Sequence, residues 1–134
     1  MRIEHVALWT GDLARLERFY CCYFGAKAGP RYVNAAKGFE SCFLSFTDGA
    51  RLEIMTTVSL SLSARHSATQ TLGLAHFAVA VGSAQQVDEL ARRMRDEGIT
   101  ILDGPRRTGD GYYEAVTLDP DGNRVEICST GDKN

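Results

Sequence analysis

A chain of 134 residues has room for one domain, or for two small half-domains. Its 44% hydrophobic and 24% charged residues are ordinary for a soluble globular protein, and a net charge of −2 gives no electrostatic reason to expect nucleic acid or an anionic membrane as partner. No apolar run approaches the roughly 20 residues of a spanning helix, and Met1-Arg2-Ile3-Glu4-His5 lacks a signal peptide's apolar region, so the expected location is cytoplasmic.

In chain order, residues 3–9 read as a strand that meets Thr10-Gly11-Asp12. Asp12 is a good helix cap, and Leu13, Leu16, Phe19, Tyr20, Tyr23 and Phe24 recur at spacings of three and four before Gly25 stops the helix. Residues 26–38 are polar, with a short strand near Arg31–Asn34. Glu40–Phe46 reads as a strand, Thr47–Ala50 as a tight hairpin turn and Arg51–Val58 as the returning strand. Residues 59–73 are rich in Ser and Thr and read as a linker, with His66 expected in solvent. Leu74–Val81 is then a strand, Ser83 a cap, and Val87, Leu90, Ala91 and Met94 the inward face of a helix that ends at Gly98. Ile99–Leu102 is a short strand, Gly104-Pro105 a turn and Arg106-Arg107 a solvated turn. Tyr112–Leu118, a hairpin at Pro120–Asn123 and Arg124–Ser129 close the pattern, and residues 131–134 form a tail.

The chain repeats itself. Asp48-Gly49-Ala50-Arg51-Leu52-Glu53-Ile54 returns 73 residues later as Asp121-Gly122-Asn123-Arg124-Val125-Glu126-Ile127. Ile3-Glu4-His5-Val6-Ala7-Leu8 returns after 71 residues as Leu74-Ala75-His76-Phe77-Ala78-Val79. The expected organisation is a single domain over 1–134, with modules at 1–58 and 74–129 joined by the 59–73 linker. Each module is strand–helix–strand–strand–strand, an α+β unit whose one helix covers one sheet face. Two such units side by side are expected to curl their mixed sheets into a trough with the helices outside.

Strand alternation decides which side chains converge. His5, Ala7 and Trp9 share a face, as do His76, Ala78 and Ala80. Arg51, Glu53 and Met55 form one face of a returning strand, and Arg124, Glu126 and Cys128 one face of the other. Glu53 lies between Leu52 and Ile54, and Glu126 between Val125 and Ile127. A carboxylate turned into a sheet interior is costly unless paired or metal-bound. Either glutamate taken alone is more simply explained as facing solvent. Two His and two Glu recurring in register point instead to a site for a first-row divalent ion. Trp9 is placed to line that pocket or to pack in the sheet core. Of Tyr112 and Tyr113, after Gly109-Asp110-Gly111, only one faces inward, and Tyr113 is taken as the substrate contact. Cys21, Cys22, Cys42 and Cys128 offer no Cys-x-x-Cys pair and read as free thiols without assigned chemistry.

Ile3–Leu8, the helix end Phe19-Tyr20-Cys21-Cys22-Tyr23-Phe24-Gly25, Gly73–Val79 and Leu118-Asp119-Pro120-Asp121-Gly122-Asn123-Arg124-Val125-Glu126-Ile127 together resemble the vicinal-oxygen-chelate superfamily of glyoxalases, bleomycin-resistance proteins and extradiol dioxygenases. The resemblance covers nearly the whole chain. It implies paired βαβββ modules around one divalent ion (Zn, Ni, Co, Mn or Fe), with His5, Glu53, His76 and Glu126 at the ligand positions. Glyoxalase I of the bacterial type uses the same two His and two Glu. The implied reaction isomerises the hemithioacetal of a 2-oxoaldehyde and glutathione, or another thiol, to a 2-hydroxyacyl thioester through a metal-bound enediolate. Glu53 and Glu126 are the alternatives for the base. The resemblance also implies a homodimer, with modules paired within one chain or across two. The rival readings are another metalloenzyme on the same scaffold, such as an epimerase, thiol transferase or dioxygenase, and a non-catalytic antibiotic-binding resistance protein.

Overall fold

Residues 1–61, 70 and 72–130 are described by a computed structural model, in which the chain divides into two compact units, Met1–Ala64 and Arg65–Asn134. Most of the 59–73 linker, with His66, and the 131–134 tail lie outside the described residues.

The first unit runs β1 (His5–Trp9), α1 (Leu13–Phe24), β2 (Lys27–Ala28), β3 (Tyr32–Asn34), a 3₁₀ turn (Ala35–Lys37), β4 (Phe39–Ser45) and β5 (Arg51–Thr57). Its sheet has the order β1-β5-β4-β2, with β3 also paired to β4. β1 and β5 are parallel, whereas β4 pairs antiparallel with β5, β2 and β3. Asp12 caps α1 by accepting from the Arg15 backbone N–H at 2.9 Å, and Gly25 ends the helix in the left-handed conformation. Leu13, Leu16, Phe19 and Tyr20 are the buried stripe of α1, and Cys42, Leu44, Leu52 and Ile54 are the buried residues of β4 and β5 behind it. Each large apolar side chain buried there contributes about 1.5–3 kcal/mol of transfer free energy, which is what holds this short helix on its sheet.

The second unit runs β6 (Phe77–Gly82), α2 (Ala84–Asp96), β7 (Ile101–Arg107), β8 (Tyr113–Leu118) and β9 (Arg124–Ser129), with sheet order β6-β9-β8-β7. Its first and last strands, β6 and β9, are again parallel neighbours. α2 starts on a capping box: the Ser83 hydroxyl accepts from the Gln86 N–H, and the Gln86 side chain accepts from the Ser83 N–H. Val87, Ala91 and Met94 are fully buried, as are Thr117, Val125 and Ile127 of the sheet. Asp119 builds the β8–β9 turn, accepting through its carboxylate from the Asp121 and Asn123 N–H groups and from the Asn123 side-chain amide. Among the described residues the architecture is therefore mixed α+β, with two sheets and two helices.

Two local expectations are corrected. β7 runs straight through Gly104-Pro105, where a turn was expected. A proline is admitted because β7 is an edge strand whose register shifts twice, between Ile101 and Asp103 and between Asp103 and Arg106. Arg106 and Arg107 consequently lie in β7 rather than in a turn, paired opposite Glu114 and Tyr113. β2 and the 3₁₀ turn went unanticipated, being too short to carry a period. Among the described residues, no helix is long and apolar enough to cross a membrane.

Candidate functional site

Parallel pairing of first and last strands puts each histidine beside its glutamate. In the first unit His5 is opposite Arg51 and Ala7 opposite Glu53, so His5 and Glu53 are diagonal neighbours on one face. His5 Nε2 lies 3.7 Å from Glu53 Oε2. In the second unit Ala78 is opposite Glu126, and His76, just ahead of β6, brings Nε2 to 3.1 Å from Glu126 Oε1. The small side chains of Ala7 and Ala78, each beside a glutamate, leave this approach open. Both glutamates lie on the sheet face opposite the residues packed under the helix. Their side chains are only 18% and 19% exposed, so neither is a solvated outward carboxylate.

These donors suit a divalent ion. Nitrogen and oxygen ligands at about 2.0–2.2 Å, subtending 90–110°, stand about 3.0–3.5 Å from each other; the 3.1 Å of the second pair falls within that range and the 3.7 Å of the first just above it. Imidazole with carboxylate is a donor set for first-row divalent metals. Among the described residues, no three or more His, Cys, Asp or Glu side chains gather into a metal-holding group. Each unit thus offers a pair.

Two acidic residues beside these pairs were missed from sequence. Glu4 accepts from His5 Nδ1 at 2.5 Å through Oε2 and from Arg51 Nε at 2.8 Å through Oε1. The hydrogen bond to His5, then that to Arg51, holds its carboxyl below the ordinary glutamate value. Glu114 is a buried carboxylate on β8, two residues from Val116, which pairs with Glu126. Burial first, then the charge of Glu126, pushes its pKa up, against the pull of Arg106 at 3.7 Å. Strand alternation could have found Glu114. It could not have found Glu4, because alternation over the expected strand 3–9 puts it on the face opposite His5, whereas in the structure it lies ahead of β1.

Trp9 sits on the His5 face, about half exposed, with its ring edge-on to Phe39 at 6.2 Å. Tyr113 is not brought to the His76–Glu126 pair. Its hydroxyl donates to Asp88 of α2 at 2.7 Å, on the opposite face of β8 from Glu114. The thiols of Cys42 and Cys128 are both pushed up by burial above all, which leaves them poor nucleophiles.

The model of the Glyoxalase/Bleomycin resistance protein/Dioxygenase superfamily matches residues 2–127. Lactoylglutathione lyase GLX1 of Arabidopsis thaliana is 30% identical over 133 residues, 97% of this chain but 44% of that protein. The chain thus spans less than half the length of this curated relative. A solved glyoxalase I mutant from Zea mays matches with a TM-score of 0.79 at 25% identity, covering 98% of this chain and 45% of that one. A glyoxylase/bleomycin resistance protein/dioxygenase domain from Frankia sp. EAN1pec matches with a TM-score of 0.80 at 18% identity, covering 96% and 97% of the two chains, and shows the fold alone. With a family match running from the residue after Met1 to the strand that carries Glu126, the chain belongs to the glyoxalase/bleomycin resistance protein/dioxygenase superfamily.

Proposed function

We propose that this protein is a metal-dependent, glyoxalase I-like enzyme in which His5, Glu53, His76 and Glu126 hold one divalent ion. The observation that carries the reading is the His–Glu pair found once in each unit, each Nε2 turned to a carboxylate oxygen. A bound Zn, Ni, Co, Mn or Fe ion supplies Lewis acidity for the negative charge that develops on two vicinal substrate oxygens. The proton transfer belongs to the protein. The carboxylate of Glu53 or Glu126 takes the proton from the carbon that bears sulfur and hydroxyl, and returns it to the adjacent carbonyl carbon. The hydroxyl proton passes to the other vicinal oxygen, so the first carbon becomes the thioester carbonyl and the second an alcohol, with no atom gained or lost overall. Glutathione is the thiol suggested by the name of the Arabidopsis relative. Trp9 is the side chain assigned to the substrate's apolar part, since it shares the His5 face and remains accessible.

The test is metal analysis of the purified protein, followed by conversion of methylglyoxal plus glutathione. One divalent ion per chain is expected, with activity lost on chelation and restored by metal. Glu126→Gln or Glu53→Gln should slow turnover by about 100-fold or more if that residue is the base. A protein that binds no divalent ion, and that none activates, overturns the metalloenzyme reading and favours a sequestering role. A metal-bound protein that leaves the hemithioacetal untouched keeps the centre and redirects the chemistry to epimerisation, thiol transfer or ring cleavage.

A further inference from the structure

The two His–Glu pairs are alike, but their supports are not. Around His5 there is a closed cluster. Glu4 Oε2 meets His5 Nδ1 at 2.5 Å, and a carboxylate has no proton to give, so the imidazole donates from Nδ1. Glu4 Oε1 accepts from Arg51 Nε at 2.8 Å and from the Arg51 terminal nitrogen at 2.5 Å. The backbone fixes the same contact, because the Arg51 N–H donates to the Glu4 carbonyl at 3.0 Å. The Arg51 guanidinium rests 4.0 Å from the centre of the Phe43 ring, and that ring packs edge-on against His5 at 5.4 Å. Every member therefore touches the next.

The second unit keeps the His and the Glu but not this shell. Ala75 stands in the repeat where Glu4 stands, with no carboxylate to offer. Val116 stands opposite Glu126 where Phe43 stands opposite Glu53, with no ring to pack on the histidine.

We infer that Glu4 is a positioning residue: by taking the Nδ1 proton of His5 in a hydrogen bond, and being itself clamped by Arg51, it holds the imidazole in the tautomer that leaves the Nε2 lone pair toward Glu53. A histidine fixed through one nitrogen is the better metal ligand through the other. The first pair is thereby the anchored half of the proposed ligand set. This inference rests on the metal reading above.

The test uses the full-length protein, zinc as the probe, and the variants Glu4→Ala and Glu4→Gln. Nitrogen-15 spectra of the zinc-free protein should show His5 as the Nδ1–H tautomer, with that preference lost in Glu4→Ala. Zinc affinity, measured by competition with a chromophoric chelator, should fall about 10- to 100-fold in Glu4→Ala. Glu4→Gln retains an acceptor oxygen and should restore both the tautomer and most of the affinity. Unchanged melting of the zinc-free variants shows that the fold is intact. A normal wild-type affinity that Glu4→Ala leaves unaltered, with His5 in the same tautomer, overturns the role of Glu4 alone. Absence of zinc binding by the wild-type protein overturns the metal reading and this inference with it.

Discussion

Glu114 holds a carboxylate on the sheet face that carries Glu126, mostly buried, with Arg106 at 3.7 Å already engaged by Asp103 at 2.7 Å. Its pKa in the folded protein is raised, by burial first and by Glu126 second. The folded state therefore binds this proton more tightly than the unfolded chain does. Its contribution to stability is full below the ordinary glutamate value and is lost as pH rises through the raised one. Chelator-treated protein should accordingly lose stability as pH rises above the ordinary glutamate value, and Glu114→Gln should flatten the loss, as read by urea midpoints across pH. Wild type and variant with parallel profiles would remove Glu114 as the cause. At this scale the sequence was legible where the repeat doubled its evidence. His5 with His76, and Glu53 with Glu126, were named from register alone, and the structure pairs each histidine with the glutamate of its own unit. Glu4 was not legible, because its role depends on a carboxylate turning back across the start of β1. Tyr113 shows the limit of parity: alternation leaves one tyrosine inward, and only the bond to Asp88 says which way Tyr113 faces.

Helices and long strands announced themselves through their periods. Asp12, Gly25 and Ser83 cap α1 and α2 as their residue types suggest, and the apolar stripes are buried at Leu13, Leu16, Phe19, Tyr20, Val87, Ala91 and Met94, and half-buried at Tyr23, Phe24 and Leu90. β7 was misjudged at Gly104-Pro105 because that dipeptide signals a turn almost everywhere else. Here the backbone needs what only glycine supplies. Gly104 has φ +77°, and a Cβ there would meet the Glu114 carbonyl oxygen at 2.5 Å. Gly104→Ala should cost about 1–3 kcal/mol from strained backbone and displace β7 from β8. Gly109→Ala, whose Cβ would enter open space, should be nearly neutral. Urea denaturation of the two variants checks the contrast, and equal midpoints would show that β7 gives way without cost.

For the whole chain, the duplicated turn Asp-Gly-x-Arg-x-Glu-Ile revealed the half-length units, and the resemblance to the superfamily needed the two histidine strands and the Phe-Tyr helix end beside it. The Ser-rich stretch between the halves has no period from which to read a structure. Under the proposed function, zinc at 100 times its dissociation constant should stabilise the protein by about 2.7 kcal/mol, seen as a melting temperature that climbs with zinc concentration. His76→Ala should blunt that climb. A melting temperature indifferent to zinc in the wild-type protein would leave the ligand set without thermodynamic support.

The side-by-side lie of β1 with β5, and of β6 with β9, has a consequence for how the chain comes together. In each unit the histidine and its glutamate are about fifty residues apart along the backbone, yet they meet across a single strand spacing. An ion gripping both members of a pair acts as a reversible cross-link around that loop, and so removes entropy from the denatured ensemble. On a growing polypeptide the first clasp can close once β5 has emerged, whereas the second must wait for β9. Of the strands described, β9 comes last in chain order, and it completes the proposed ligand set.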